Sequence, residues 1–459
     1  MPNSESYKDI KLMGAVGDGE TSCTDIIQRA IDDIAAAGGG TVVVPPGTYL
    51  TGMLKLCSCL TLEIQPGGVL KASPNPGDYP AFPLDSDQTF VSPVDQEERF
   101  FLYTKDVHSL KIHGGGTIDG SGHAFWDPPS SCKFFVPKSG RVTRMFEISD
   151  ARDVILENIV ISDSPGWTVH INRCENMRLQ GVSIRNDLLG PNTDGLDITD
   201  SSDIFISNCT IYAGDDAIVL KSYGGVNERI HVSNCMLQTN CSALKLGANE
   251  SYGTIRQVVM SNCVIRDSSR GISLYCMGGG TFEDISFSNI VMDCDNEIPL
   301  VNPIHIHASR NPDSNRNRGI GKIRRVRIGD ILCHTDARIL MTCEDGQMLE
   351  DIHLHDILVN YDKVEDRFDL AHQAEGKLQF SPFTPEARGA KAGIVAYNIR
   401  GLTLRNIALR WPAQVDVAMH FLWASQVEDA FVDCPQAKAS RPETELYNIE
   451  KSDIVVRNP

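Results

Sequence analysis

The stretch NTDGLDITDSSDIFISNCTIYAGDDAIVLKS, residues 192–222, contains one unit of an irregular repeat and a group of aspartates about one unit apart. Within it, DIFISNCTI alternates apolar and polar residues, turns at Asn208 and continues into a second short segment. Alternation with a period of two predicts half-buried β-strands, and Asn tolerates the left-handed backbone of a tight corner. The stretch therefore predicts a strand, a corner and a second strand.

Similar units follow one another through most of the 459-residue chain. They read DVILENIVI (153–161), NMRLQGVSI (176–184), RIHVSNCML (229–237), QVVMSNCVI (257–265), EDISFSNIVM (283–292), RVRIGDILC (325–333), DIHLHDILV (351–359) and GLTLRNIAL (401–409). Most successive corners are 23 to 28 residues apart, and two steps are longer, at 41 and 50. Such a unit cannot bury its apolar face alone, so neighbours must stack. We predict an all-β fold, a right-handed parallel β-helix.

The N-terminal region has a different pattern, SCTDIIQRAIDDIAAA from Ser22 to Ala37. Ser22 with Asp25 three residues on predicts a helix start, the apolar spacing is helical, and glycines 38–40 predict its end. Such a helix would cover the open end of the solenoid. We predict one β-helix domain over 1–459: a cap over about 1–45, coils over about 46–435 with loop insertions near 293–322 and 362–395, and a C-terminal tail over 436–459.

Composition narrows the function. The net charge of −18 and the lack of a basic stripe argue against nucleic-acid binding, and no apolar run is long enough to span a membrane. The 14 cysteines are scattered without a C-x-x-C pair, so we expect reduced core thiols, with Cys209, Cys235 and Cys263 pointing inward. No apolar signal core follows Met1, which predicts a cytoplasmic protein, or a secreted or periplasmic one if a leader was removed.

The aspartates are the candidate site. Asp194 and Asp215 are 215 − 194 = 21 residues apart, so stacked coils would bring Asp194 next to the Asp215–Asp216 pair. Both members of the pair can project outward only if Gly214 permits a bulge or a turn. Close carboxylates repel, which raises at least one pKa, and a glycosidase needs one protonated acid and one ionised carboxylate. The residues alone leave catalysis, a Ca²⁺ site and simple turn aspartates as alternatives.

The chain resembles glycoside hydrolase family 28, the polygalacturonase family. The similar stretches are 14–52 (GAVGDGETSCTDIIQRAIDDIAAAGGGTVVVPPGTYLTG), GGGTIDGSGHAFWD (114–127), SPGWTVHINRCENM (164–177), NTDGLDI (192–198) and GDDAIVLKS (214–222). The resemblance implies an inverting glycosidase with Asp215 as the general acid. It also implies that Asp194 and Asp216 position and deprotonate the water, and that no cofactor or metal is needed.

The chain departs from that family at two motifs. Where the family carries Gly-His-Gly, Cys241 or Ser242 occupies the place of the histidine, and where it carries Arg-Ile-Lys this chain has SLY at 273–275. Recognition of a uronate needs cations. We expect Lys245 and Arg270 to replace them and Tyr275 to stack on a sugar. The alternatives are a surface strand position for Lys245, a coil corner for Arg270 and packing against the next coil for Tyr275.

Other candidates lie on the neighbouring segments. Asn192 is predicted to orient water or the acid, because two residues separate it from Asp194. Trp167 is a candidate stacking ring and His170 a candidate ligand of a substrate hydroxyl, the alternatives being core packing and a structural histidine. His305 and His307 alternate onto one face, but no third ligand is visible, so no metal site is predicted.

Taken together, these features predict an inverting, exo-acting hydrolase of pectin-related or other plant or microbial oligosaccharides. Its terminal sugar need not be galacturonate. The alternatives are a β-helix lyase that uses Ca²⁺ and a base, and a non-catalytic carbohydrate-binding β-helix. The sequence indicates no oligomeric state, and a monomer is the default expectation.

Overall fold

A computed structural model describes residues 6–84, 94–129, 134–248, 251–294, 302–311, 318–364, 387 and 389–457. These residues form two compact units: unit 1 comprises Met1–Ile218 and Ile230–Met236, and unit 2 comprises Val219–Arg229 and Leu237–Pro459. None of the helices in the described part of the chain is long and apolar enough to span a bilayer.

Unit 1 is built from three ladders of parallel strands. The first contains Leu54–Lys55, Phe100–Lys105, Arg144–Ser149, Trp167–Asn172 and Leu196–Thr199. The second contains Tyr7–Asp9, Gly40–Val44, Leu60–Ile64, His108–His113, Arg152–Glu157, Glu175–Gln180 and Ser202–Ser207. The third contains Asp18–Ser22, Gly47–Thr51, Gly68–Ala72, Thr117–Asp119, Val160–Ser162, Ser183–Arg185 and Thr210–Ala213. Each coil thus adds one strand to every ladder.

Short elements complete unit 1. They are the 3₁₀ helices Pro76–Asp78 and Gly122–Phe125 and the antiparallel pair Trp126–Asp127 and Val136–Pro137. The strands Ile218–Lys221, Val226–Ser233 and Met236–Thr239 contain residues of both units.

Unit 2 repeats the pattern with longer strands. One ladder contains Ser242–Ala248, Arg270–Cys276, Asn302–Ala308, Ile339–Cys343, the first half of Ala392–Arg410, His420–Glu428 and Tyr447–Glu450. The other strands are Thr254–Ile265, Thr281–Cys294, Lys322–Thr335, Leu349–Asn360, the second half of Ala392–Arg410, Ala430–Asp433 and Ile454–Val456. Parallel coils of this kind confirm the predicted β-helix, whose crossovers are right-handed in nearly all parallel folds.

The corners form as their residue types predict. Asn208, Asn234, Asn262 and Asn289 all have φ between 52° and 56°, in the left-handed region. The Asn289 amide donates to Oδ1 of Asn262 at 2.8 Å, so the predicted side-chain ladder is present there. The cysteines that follow three of these corners, at 209, 235 and 263, are buried free thiols, as expected.

The predicted N-terminal helix spans Thr24–Ala36 and buries Ile27, Ala30, Ile31 and Ile34. The cap prediction was wrong, because Ser22 ends the strand Asp18–Ser22 and Cys23 takes the N-cap position without a side-chain hydrogen bond. The strand pairing with Gly47–Thr51 claims Ser22 before the helix begins.

Two boundary predictions need correction. Asn302–Ala308, inside the segment expected to be a loop, is a strand paired with Arg270–Cys276, because its alternating apolar residues continue the ladder. The expected tail carries another coil, with strands Tyr447–Glu450 and Ile454–Val456. Residues 295–301 and 312–317 of the first predicted insertion, and 365–386 and 388 of the second, lie outside the described residues.

Candidate active site

Main-chain hydrogen bonds bring the coil of Asp194 against the coil of Asp216. Gly195 N donates to the carbonyl of Asp216 at 2.8 Å, and Leu196 N donates to that of Ala217 at 3.0 Å. Asp194 thus stands just before the strand Leu196–Thr199, and the aspartate pair stands just before Ile218. The predicted registration of these two coils is present.

The carboxylates of Asp215 and Asp216 have ligand oxygens within 4.8 Å of one another. Asp215 is half-buried, whereas Asp216 and Asp194 are buried at 2% and 3% exposure. Asp216 N donates to Oδ1 of Asp215 at 3.0 Å, which fixes the position of that carboxylate. Two close oxygen acids of unequal exposure provide the asymmetry that an acid and a base require.

A bend at Gly214 makes this arrangement possible. Residues 214–217 lie outside the flanking strands, as the interpretation of Gly214 required. Gly214 N donates to Oγ1 of Thr193 at 3.0 Å, and a Cβ at this position would lie 2.4 Å from the carbonyl oxygen of Gly190. Only glycine allows such a close approach of the two segments.

Arg141 anchors the segment that leads into Asp194. Its side chain is fully buried and forms a two-point ion pair with Asp95, at 3.2 and 3.0 Å. The same guanidinium donates to the carbonyls of Pro165 and Pro191 at 3.1 and 2.9 Å and to Oδ1 of Asn192 at 3.1 Å. Arg141 was not recognised in the sequence, because its partners lie 24 to 51 residues away.

The placement of Asn192 corrects its predicted role. Asn192 is not in a strand; its φ of 57° is left-handed, and its side-chain oxygen is held by Arg141. The two-residue alternation that would have put it on the same face as Asp194 does not apply. Asn192 therefore shapes the loop.

Trp167 and His170, predicted as sugar ligands, lie inside unit 1. The Arg144 guanidinium lies 5.0 Å from the centre of the Trp167 ring, which is 3% exposed. His170 is fully buried and bonds Oε2 of Glu147 through Nδ1 at 2.7 Å and Oγ1 of Thr199 through Nε2 at 3.1 Å. With both ring nitrogens occupied, the placement corrects the binding interpretation and favours the structural one.

The network around His170 is a buried ionic system. Burial lowers the pKa of His170, so the neutral ring can donate from Nδ1 and accept at Nε2. Burial raises the pKa of Glu147, but His170, Arg144 and the Ser149 hydroxyl outweigh it and bring the pKa to about 2. An ionised Glu147 thus fixes the ring on the strand next to that of Asp194.

Unit 2 brings together Lys245, Arg270 and Tyr275. Lys245 Nζ lies 5.9 Å from the centre of the Tyr275 ring, and Arg270 Nη1 is 3.4 Å from its hydroxyl. Arg270 Nη2 also donates to Sγ of Cys241 at 3.2 Å, the residue near the place of the family histidine. All three side chains are at most 7% exposed. Two partly desolvated cations on one aromatic ring form an anion-binding environment.

Two further residues belong to this cluster. Ser273 pairs with Lys245 on one side and His305 on the other, is fully buried, and its hydroxyl has no hydrogen-bond partner within the described part of the chain. His305 Nδ1 and the Tyr275 hydroxyl are hydrogen-bonded at 2.9 Å. The alternation in PIHIH put His305 on one face with His307, but the sequence could not indicate that Tyr275 lies there.

Comparison with known proteins agrees with the fold and the motifs. The family model for glycosyl hydrolases family 28 matches residues 43–375, and a model for rhamnogalacturonase A/epimerase, pectate lyase-like, matches residues 8–62. The chain therefore belongs to glycosyl hydrolase family 28 and is a glycosidase. A probable polygalacturonase of Arabidopsis thaliana is 28% identical over 336 residues, 72% of this chain and 67% of its own length.

Solved structures share the fold. An exopolygalacturonase from Thermotoga maritima is 23% identical, with a TM-score of 0.66 over 77% of this chain and 87% of its own. A family 28 exopolygalacturonase from Yersinia enterocolitica is 16% identical, with a TM-score of 0.71 over 94% of this chain and 79% of its own. At these identities, the comparison establishes the right-handed β-helix.

Proposed function

We propose that this glycosidase is an inverting, exo-acting hydrolase of pectin-related oligosaccharides. Asp215 is the general acid, and Asp194 and Asp216 position and deprotonate the attacking water. The observation that carries this proposal is the pair of carboxylates within 4.8 Å on the bend after Gly214, on the coil bonded to Gly195. The half-buried acid can reach a leaving oxygen while its buried neighbour remains a base. The exopolygalacturonases among its structural relatives support the exo-acting mode.

The substrate-binding part of the proposal rests on unit 2. Lys245 and Arg270 hold an acidic group of the substrate, and Tyr275 offers its ring and hydroxyl to the sugar. A buried hydroxyl such as that of Ser273 costs about 1–3 kcal/mol when it lacks a partner, and a bound sugar oxygen would remove that cost. These side chains supply the positive charge that the missing Arg-Ile-Lys motif leaves to other residues.

The test is a screen of pectic oligosaccharides with the product anomer followed by NMR. The proposal expects an inverted anomer and release of sugar from one chain end. Asp215→Asn, Asp194→Asn and Asp216→Asn should each lower kcat about 10²- to 10⁴-fold, the usual contribution of acid–base catalysis. A bell-shaped pH profile should accompany the activity, because acid and base must hold opposite protonation states.

Asp153→Asn is the matched control. Asp153 lies in unit 1 at a left-handed corner, with φ 56°, and accepts from the Asn176 amide at 2.6 Å. Asn tolerates this conformation and keeps an acceptor, so activity should be unchanged. Retention of anomeric configuration, an unsaturated product or full activity in Asp215→Asn would contradict the mechanism.

A further inference from the structure

A cavity of about 490 Å³ opens in unit 2, on a part of the chain that the proposed function does not use. We call it the C-terminal cavity and define it by Lys391, His420, Trp423, Ser425, Asn448 and Lys451. A second hollow of about 570 Å³ shares Gln426 and Lys451 with it. Both volumes fall in the range of about 300–1,000 Å³ typical of small-molecule sites.

Strand register places the lining residues. Trp423 pairs with Asn448, and Ser425 pairs with Glu450, on adjacent parallel strands. Leu422 and Ala424, which alternate with them, are fully buried. Since successive side chains of a strand face opposite sides, the tryptophan and the serine point away from the core, towards the cavity they line.

Two polar side chains face this space without a partner. Ser425 is 6% exposed, and neither its hydroxyl nor the Asn448 amide makes a side-chain hydrogen bond within the described ranges. A polar group this deep usually finds a partner. Groups with both donors and acceptors, a hydroxyl and an amide, match the hydroxyls of a sugar.

The wall of the cavity is rigid. The Tyr397 and Trp423 rings lie 6.3 Å apart at 17°, and Trp423 is 7% exposed. The Tyr397 hydroxyl donates to Oδ1 of Asp345 at 2.8 Å and accepts from the Gln426 amide at 2.7 Å. Side chains held in this way are already ordered, so a ligand does not have to pay for ordering them.

The charge of the cavity is locally positive in a chain of net charge −18. Lys391 and Lys451 line it, against one carboxylate, that of Glu450. Lys451 is exposed and forms no ion pair with another described residue. A local cationic pocket can select an anionic ligand against an unfavourable overall field.

These observations point to one ligand class. We propose that the C-terminal cavity is a second saccharide-binding site that takes a carboxylate-bearing sugar chain. Lys391 and Lys451 face the carboxylate, Ser425 and Asn448 bond the hydroxyls, and the Trp423 edge supplies the apolar surface. The site does not depend on the catalytic role of the aspartates, because all its groups lie elsewhere in the sequence.

The test follows the indole N–H signal of Trp423 by NMR, one of only four tryptophans in the chain, assigned with Trp423→Phe. Full-length Asp215→Asn protein is titrated with hexagalacturonate, its fully methyl-esterified form and inorganic phosphate. Hexagalacturonate should shift this signal. The dissociation constant should rise about tenfold in Lys451→Gln and in Asn448→Ala, both changes at side chains that are not fully buried. Lys322→Gln, at an exposed lysine of another strand, is the control and should bind as the parent does.

Three results would overturn the proposal. The Trp423 signal could stay unmoved at millimolar hexagalacturonate, the two cavity variants could bind as tightly as the control, or the ester or phosphate could bind as well as the acid. The titration reads binding alone, whereas turnover is measured separately on the parent protein. A failure of the proposed hydrolase function therefore remains distinguishable from a failure of this site.

Discussion

The guanidinium of Arg141 provides the sharpest test of how unit 1 holds its candidate site. We consider Arg141→Gln, which removes the charge and shortens the side chain. The substitution breaks the two-point pair with Asp95 and withdraws donors from the carbonyls of Pro165 and Pro191 and from Asn192. The fold then keeps a carboxylate that is only 3% exposed and has lost its counter-charge.

The magnitude follows from that burial. Removing one partner of a buried ion pair costs about 3–5 kcal/mol, because the remaining charge stays desolvated. Replacing both charges avoids this cost, so Asp95→Asn combined with Arg141→Met should recover a part of the loss. The double variant still lacks the donors to Pro191 and Asn192, so kcat should remain low even where stability returns.

The assay is urea unfolding followed by circular dichroism, with kcat measured beside it. Arg173→Gln is the matched control, because Arg173 makes the same two-point contact with Asp150, at 2.7 and 2.9 Å, but is 42% exposed. An exposed pair contributes about 0–1 kcal/mol. Equal losses in Arg141→Gln and Arg173→Gln, or a loss below about 1 kcal/mol for Arg141→Gln, would refute the reasoning.

Three further predictions concern unit 2. Burial lowers the pKa of His307 to about 3, so the unfolded chain binds this proton first as pH falls below about 6.5. Stability should therefore drop by up to about 1.4 kcal/mol per pH unit towards pH 3, and urea titrations of His307→Gln should lose that part of the slope. Tyr275→Phe, which removes the hydroxyl bonded to His305, should raise KM about five- to tenfold with kcat unchanged; an unchanged KM would argue against a substrate contact. Glu283→Gln should cost less than about 1 kcal/mol in urea unfolding, because its partner Arg324 is 43% exposed, and a loss above about 2 kcal/mol would contradict this.

The coil pattern was predictable because it is local. Alternation sets the faces of each strand, and an Asn or Asp at the corner adopts positive φ at positions such as Asn158, Asn208, Asp330 and Asp356. The last coil was missed because its strands are weakly apolar and open to solvent, with Val455 62% exposed. A short exposed segment has little periodicity to read.

The site was predictable only in part. Asp194, Asp215 and Asp216 could be found from their spacing, because coil registration turns spacing into proximity. The binding roles of Asn192 and His170 could not be judged, because their partners, Arg141 and Glu147, come from other coils. Long-range partners of this kind carry no local signal.

Register in unit 2 has a second source besides the corners. An alternating row of charges runs along adjacent strands, one residue per coil: Glu228, Arg256, Glu283, Arg324, Glu350, Arg400 and Glu428. Each exposed pair contributes little to stability. Misplacement of one strand by two residues would keep its apolar face buried, yet it would break two charge contacts and the corner at once. Single weak pairs in an unbroken row can therefore specify alignment between coils whose apolar faces are nearly interchangeable.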